Sequence, residues 1–360
     1  MSYVYGKVAS DPSSHQTPHY GYFDGDGDFI LRAPLLDSPE ESDVKDLDSL
    51  LMVPFVKDHS VGTTAEQKID RVKYLLGQEA STIELHDFVT DEVRRFLGET
   101  SEDHFALAGQ FSTDEFLDRV AKYEEISGDL CLIFAALAHW GRPDHLATLR
   151  KGISRSTGRL ENRDGLTAWI ELRWYPLILA LYSAGIAAVA ADRLDSLKTI
   201  FMAPVGVVRP GQRERVFVDA AANAILQFNR ANLFKQLPGH ERHFTPMSEY
   251  LFKILQPSLD DLLFLGGGYE DAFDEFEVMF ALVTADRWSQ RESHLWAPVG
   301  RFGWKEQHGE SPPLSRLIDF AKSMGVDWAP LGEGFFGGDS KQFNLVADQF
   351  KANVSKLGWW

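Results

Sequence analysis

The sequence predicts an all-α protein of stacked helical hairpins, solenoid-like or an irregular helical array, behind an irregular, acidic N-terminal arm. Three observations predict it. From about residue 66 onward, apolar residues recur at three- and four-residue spacing in segments bounded by capping residues. Runs with strand character are rare, and VGVVR at 205–209 is the best of them. The segment Arg142-Pro143-Asp144-His145-Leu146-Ala147-Thr148-Leu149 aligns with Arg193-Leu194-Asp195-Ser196-Leu197-Lys198-Thr199-Ile200, fifty-one residues later, each behind an Ala-rich stretch. Small residues there (Ala135, Ala136 and Ala138; Ala184, Gly185, Ala187 and Ala188) allow close helix approach, as stacked hairpins require. Two copies fit generic helix–turn–helix similarity equally well.

Residues 1–65 form the expected arm. They carry Pro12, Pro18, Pro34, Pro39 and Pro54, and from Asp24 to Asp48 only Arg32 and Lys45 are basic. The apolar pieces FILRAPLL and LLMVPFV each contain a proline, which confines them to edge strands or extended arms. So little apolar surface leaves the arm partly flexible without a partner. Residues 66–360 form the helical body, with a candidate division at 235–245. TAEQKIDRVKYLLG sets Ile69, Val72, Leu75 and Leu76 on one face and stops at Gly77. TIELHDFVTDEVRRFLG does the same with Leu85, Phe88, Val89, Val93, Phe96 and Leu97 before Gly98. Ser112 and Glu115 form a capping box, starting a helix that runs through Tyr123. Apolar helices follow at about 129–140, 166–191 and 213–231, with others near 143–153, 193–202, 246–265, 270–288, 314–324 and 340–357. The helix over 166–191 is apolar on every side and should be the most buried, with Leu181 and Ile186 inside.

Composition excludes several classes. The net charge of −17 repels a phosphate backbone, so nucleic acid is a disfavoured partner. One cysteine, Cys131, rules out an internal disulfide framework and a cysteine-based zinc site. Its apolar setting, Leu130-Cys131-Leu132-Ile133-Phe134, makes it a core residue. Trp174–Ala191 is eighteen residues without a charge, but Arg173 and Asp192 abut it, and Ser183 and Gly185 lie inside. That reads as a buried helix, so no membrane association is expected. MSYVYGKVAS has no signal-peptide pattern, and a cytoplasmic location is expected.

The block Leu172-Arg173-Trp174-Tyr175-Pro176-Leu177 through Leu181-Tyr182-Ser183-Ala184-Gly185-Ile186-Ala187-Ala188 carries a resemblance, as do Tyr250, Leu251, Leu255, Tyr269, Glu270, Phe273, Phe276 and Glu277. Over about residues 115–300 the chain resembles the C-terminal helical regions of bacterial multidomain anti-phage defence effectors. There such helices follow SIR2-like, TIR-like or ATPase domains. No catalytic domain precedes the helices here, so the resemblance implies a sensing or assembly part.

Motifs for chemistry are sparse. Asp24-Gly25-Asp26-Gly27-Asp28 suggests a calcium loop, but Phe29 and Leu35 stand where an EF-hand needs Gly and Glu, so an acidic turn is expected. His240 and His243 lie three apart between Pro238-Gly239 and Pro246, which reads as a solvated loop without a metal. Gly332-Glu333-Gly334-Phe335-Phe336-Gly337 matches a dinucleotide fingerprint literally but lacks the βαβ context, so a loop capped by a helix is expected. The acidic run 260–277 reads as a helix with Phe273, Phe276 and Phe280 inward and Asp271 and Glu275 on the solvent face. Two clusters are candidate binding residues. Arg150, Lys151, Arg155, Arg159 and Arg163 form a basic island in a loop-like segment suited to an anion or an acidic segment such as 24–48. Trp288, Trp296 and Trp304 recur every eight residues among arginines, as in stacking surfaces. Trp359-Trp360 should tuck into the core or meet a partner.

The expectation is a non-enzymatic recognition or scaffold protein without cofactor, metal or catalytic residues, whose partner is another protein or a second copy of the chain. Its small-molecule ligand, if it has one, is not legible. The rival is an enzyme whose site is assembled from scattered residues such as Glu171, Arg173, His139 and His145.

Overall fold

A computed structural model describes residues 64–158, 160, 164–206, 215–291, 295–309 and 311–358, and the backbone of two strands ahead of them. The chain divides into two units, Met1–Gly62 and Thr63–Trp360. In the first, β1 (Tyr20–Phe23) pairs antiparallel with β2 (Phe29–Arg32), Tyr20 opposite Arg32 and Phe23 opposite Phe29. FILR is therefore a strand, ending before Pro34. Strands, not helices, flank the acidic run 24–28, which itself lies outside the described residues, as do LLMVPFV, most of the arm and Trp359-Trp360.

The second unit is a packed array of helices. Helix α1 (Ala65–Gly77) opens on a reciprocal capping box in which the Gln67 N–H donates to Thr64 Oγ1 and the Thr64 N–H to Gln67 Oε1. Next come α2 (Thr82–Glu99), α3 (Thr113–Trp140), α4 (Pro143–Ser156) and α5 (Thr167–Leu172). These are followed by α6 (Tyr175–Ala190), α7 (Leu194–Phe201), α8 (Phe217–Arg230) and α9 (Pro246–Leu263). Then α10 (Tyr269–Ser289), α11 (Phe302–His308), α12 (Pro313–Met324), α13 (Ala329–Gly332) and α14 (Ser340–Val354) complete the order.

Two boundaries differ from the sequence reading. Helix α3 runs unbroken for 28 residues, starting where Ser112 Oγ accepts the Glu115 N–H, so its two apolar stretches are one element. The long apolar helix is split instead at Arg173–Trp174, because Pro176 has no N–H to donate and opens α6 in its first turn. VGVVR is not a regular strand in its described part. The contact there is an isolated bridge, Pro204 with Val216, with the Val205 N–H donating to the Arg215 carbonyl.

Hairpins α1–α2, α3–α4 and α6–α7 stack in sequence order. Their first helices α1, α3 and α6 lie side by side, and α2, α4 and α7 form a second row; α10 and then α14 extend the first. The two matched segments begin α4 and α7, which pack against one another. Every residue of α6 from Tyr175 to Ala188 is buried, Leu181 and Ile186 completely. The apolar stretch Thr167–Ala190 is long enough to cross a membrane, yet 94% of its window is buried inside the protein. Close approach is made where glycine allows it: a Cβ on Gly185 would lie 2.0 Å from the Phe276 ring of α10, and one on Gly152 2.9 Å from Phe134 of α3. Gly152 therefore marks tight helix packing, and the KGISRS part of the basic segment is helix rather than loop. The Gly-rich run near 334 is a turn: Gly334 and Gly337 take positive φ, Phe335 and Phe336 are buried, and Asp339 caps α14.

Candidate functional site

The site forms where α8 ends. Buried Asp219 in its first turn takes both Nε and Nη2 of Arg287 (3.0 and 2.9 Å) and Nη2 of Arg291 (2.8 Å), fixing α8 to α10. After Arg230 the chain turns at Asn232, in the left-handed region that asparagine tolerates, and buries Leu233 and Phe234 in a 3₁₀ turn. Gly239 turns it again, and Pro246 opens α9. The segment 295–301 returns from the end of α10 across this region.

Between these pieces opens a cleft of about 400 Å³ with Phe228, Phe234, Phe244 and Trp296 among its walls and Arg230 and Lys235 on its exposed rim. Neither cation has an ion-pair partner among the described residues. Asn229, Thr245 and Val299 are shared with a smaller inner chamber that reaches Tyr182, Ser248 and Glu277. Thr245 is 7% exposed, and its Oγ1 has no hydrogen-bond partner. An unsatisfied buried hydroxyl costs about 1–3 kcal/mol, which a ligand donor would offset.

Glu277 is the floor of the chamber. Its Oε1 accepts from Tyr182 Oη (2.8 Å) and Ser248 Oγ (2.7 Å), and its Oε2 from the Arg301 backbone N–H (3.0 Å). Burial pushes its carboxyl up to about 7, against the pull of the Ser248 and Tyr182 hydrogen bonds. The Arg301 guanidinium does not reach Glu277: it donates to Glu270 at 2.9 Å and lies over the Phe252 ring, 3.6 Å from its centroid. Lys305 bridges Glu270 and Asp274, and burial raises the Asp274 carboxyl as well. The acidic run is thus divided. Asp271 and Glu275 are exposed as expected, whereas Asp274 and Glu277 are buried and engaged.

Of the sequence-predicted binding residues that are described, Trp296 alone lines this cleft. Trp288 packs half-buried against the core, and Trp304 Nε1 donates to Glu249 Oε1 at 2.6 Å. Arg150, Lys151 and Arg155 lie on the exposed face of α4, where Arg155 Nη1 donates to Thr90 Oγ1. Arg159 and Arg163 lie outside the described residues. The histidine pair lies in a loop, as expected, with Glu241 and Arg242 exposed, but the loop is not solvated throughout. His240 is buried, its Nδ1 lies 3.1 Å from that of His243, and burial holds its imidazole below its ordinary pKa. No group of three metal-ligating side chains exists among the described residues.

The scattered enzyme residues are not brought together. His139 Nδ1 sits 3.0 Å from the Ala187 carbonyl near the end of α6, while Glu171 and Arg173 precede its start. A helix rises 1.5 Å per residue, which puts about 20 Å between them. His145 is fully buried at the start of α4, where its Nδ1 accepts the Arg142 N–H. Cys131 is buried, its thiol pushed up to about 12, and is no nucleophile.

Thr245, Arg230 and Lys235 escaped the sequence reading. Glu277 carried a signal there: it stands four residues after Phe273 and three before Phe280, on the stripe those phenylalanines define. Comparison of the chain with protein-family models, curated proteins and solved structures finds no match.

Proposed function

We propose that the helical body is a non-enzymatic recognition scaffold that reads a small ligand in the α8–α9 cleft, and that it serves as a sensing or assembly component of a bacterial anti-phage defence system. One observation carries the recognition reading. The cleft joins aromatic walls and rim cations that have no ion-pair partner among the described residues to a buried hydroxyl without a partner, and none of its described lining residues forms a nucleophile–base pair. The stacked hairpins, a repeat in this reading, supply the surface for a protein partner or a second copy of the chain. The defence setting rests on the resemblance at 115–300.

Glu277 favours a second reading, an enzyme using it as acid or base, because its pKa near neutrality suits proton transfer. Against that, all three of its hydrogen bonds are to donors of the chain itself, and a Cβ at Gly300 would sit 2.1 Å from Oε2, so that side is closed.

Native mass spectrometry of the gently purified full chain tests recognition. A bound mass is expected, lost in a cleft-filling Val299→Trp variant that retains its melting temperature; a bare chain, or a mass untouched by that change, would sink the reading. Expression in a bacterial host should lower phage plating, and unchanged plating would remove the defence setting.

A further inference from the structure

We propose that the cleft takes an organic anion built on a flat ring, with the ring innermost against Trp296 and the anionic group at Arg230 and Lys235. This rests on the recognition reading above and names its ligand class.

At the mouth stand two exposed cations without acidic partners among the described residues, on a chain whose net charge is −17. Unpaired cations in so acidic a protein locally reverse the field and draw an anion to this rim. The aromatic lining is Phe228, Phe234, Phe244 and Trp296, surfaces that favour a planar ring through stacking and edge contacts. The volume of about 400 Å³ lies at the lower end of the range for small-ligand sites, enough for one or two rings.

The floor fixes the ligand's direction. Thr245 Oγ1 is buried and unpartnered, and behind it the chamber ends at the carboxyl of Glu277. The chamber is low-dielectric and holds no cation among its described residues to pair with an anion, so the charged end of the ligand is not the inner one. Thr245 Oγ1 is the acceptor there without a partner, and it takes a hydrogen-bond donor of the ligand. A ring bearing N–H donors meets both ends; a ring without charge leaves the rim cations unused, and an anion without a ring leaves the aromatic walls unfilled. Phosphate and carboxylate satisfy the rim alike, and the experiment separates them.

The test is isothermal titration calorimetry on the full chain with four probes. Adenylate and para-aminobenzoate supply a donor-bearing ring with a phosphate or a carboxylate; adenosine supplies the ring alone; inorganic phosphate supplies the anion alone. At least one ring anion should bind about tenfold or more tightly than adenosine and phosphate, and the preferred one names the anion. Both rim residues are exposed, so Arg230→Glu and Lys235→Glu should leave the melting temperature unchanged. Each should weaken the ring anion about tenfold without affecting adenosine, and Thr245→Val should weaken both. Charge reversals without effect, or adenosine binding as tightly as adenylate, overturn the assignment. If all four probes fail while native mass spectrometry shows a bound mass, the ligand class is wrong and recognition stands. If no mass and no probe binds, both fall.

Discussion

Replacing Glu277 by glutamine should flatten the pH dependence of folding stability. In the folded chain its carboxyl titrates near 7, raised mainly by burial, against the 4.5 of an exposed glutamate. Between these values the folded state holds a proton that the unfolded state has released. Stability therefore falls as pH rises through the window, being fullest below about 4.5 and lost above about 7. The interval corresponds to about 3 kcal/mol at about 1.4 kcal/mol per pH decade. Asp274, also raised by burial, tilts the curve the same way, and Asp195, lowered by Arg193, tilts it the other way; both remain in the variant. The assay is urea unfolding at about pH 5 and about pH 8 for both chains. The native chain should lose about 3 kcal/mol more than Glu277→Gln across the interval, whatever constant offset the amide adds. Equal losses would show that Glu277 stays ionised inside the fold, and the desolvation argument would fail.

Leu181→Ala should cost about 2–5 kcal/mol in urea unfolding, since Leu181 is fully buried in α6. A loss under about 1 kcal/mol would mean that the helix can collapse around the gap. Thr245→Val should stabilise the ligand-free chain by about 1 kcal/mol by deleting a buried hydroxyl without a partner, and a loss of stability would show that the hydroxyl is bonded. Asp219→Ala leaves Arg287 and Arg291 facing one another and should cost about 3 kcal/mol; a neutral outcome in thermal melting would mean that solvent already screens the cluster.

The helices were legible because each carries its own evidence. Apolar spacing and the Ser112 cap announced α2 and the start of α3, and an uninterrupted apolar run announced α6. What the one-dimensional pattern confused was glycine. Gly152 reads as a loop signal in KGISRSTGR, but its missing Cβ serves the packing of α4 on Phe134. The short α11 and α13 hold too few residues to display a period. The cleft was hidden for a different reason. Arg230, Thr245, Glu277 and Trp296 come from four places in the chain, and only tertiary packing makes them neighbours. The tryptophan spacing pointed to a stacking surface, yet Trp288 and Trp304 serve packing and a hydrogen bond to Glu249, and one indole of the three reaches the cleft.

The strap at 295–301 is tied to Glu277 by a peptide N–H, not by a side chain. Any amino acid but proline supplies that donor, so this tie is invisible to mutational scanning by ordinary substitution and survives drift at position 301. The guanidinium of Arg301 answers to a different selective pressure, set by Glu270 and the Phe252 ring. Position 300 is the opposite case: a methyl group there would displace the Glu277 carboxyl, leaving glycine as the allele compatible with a closed chamber. Among relatives of this chain, an invariant glycine at position 300 would therefore be the inherited mark of this site.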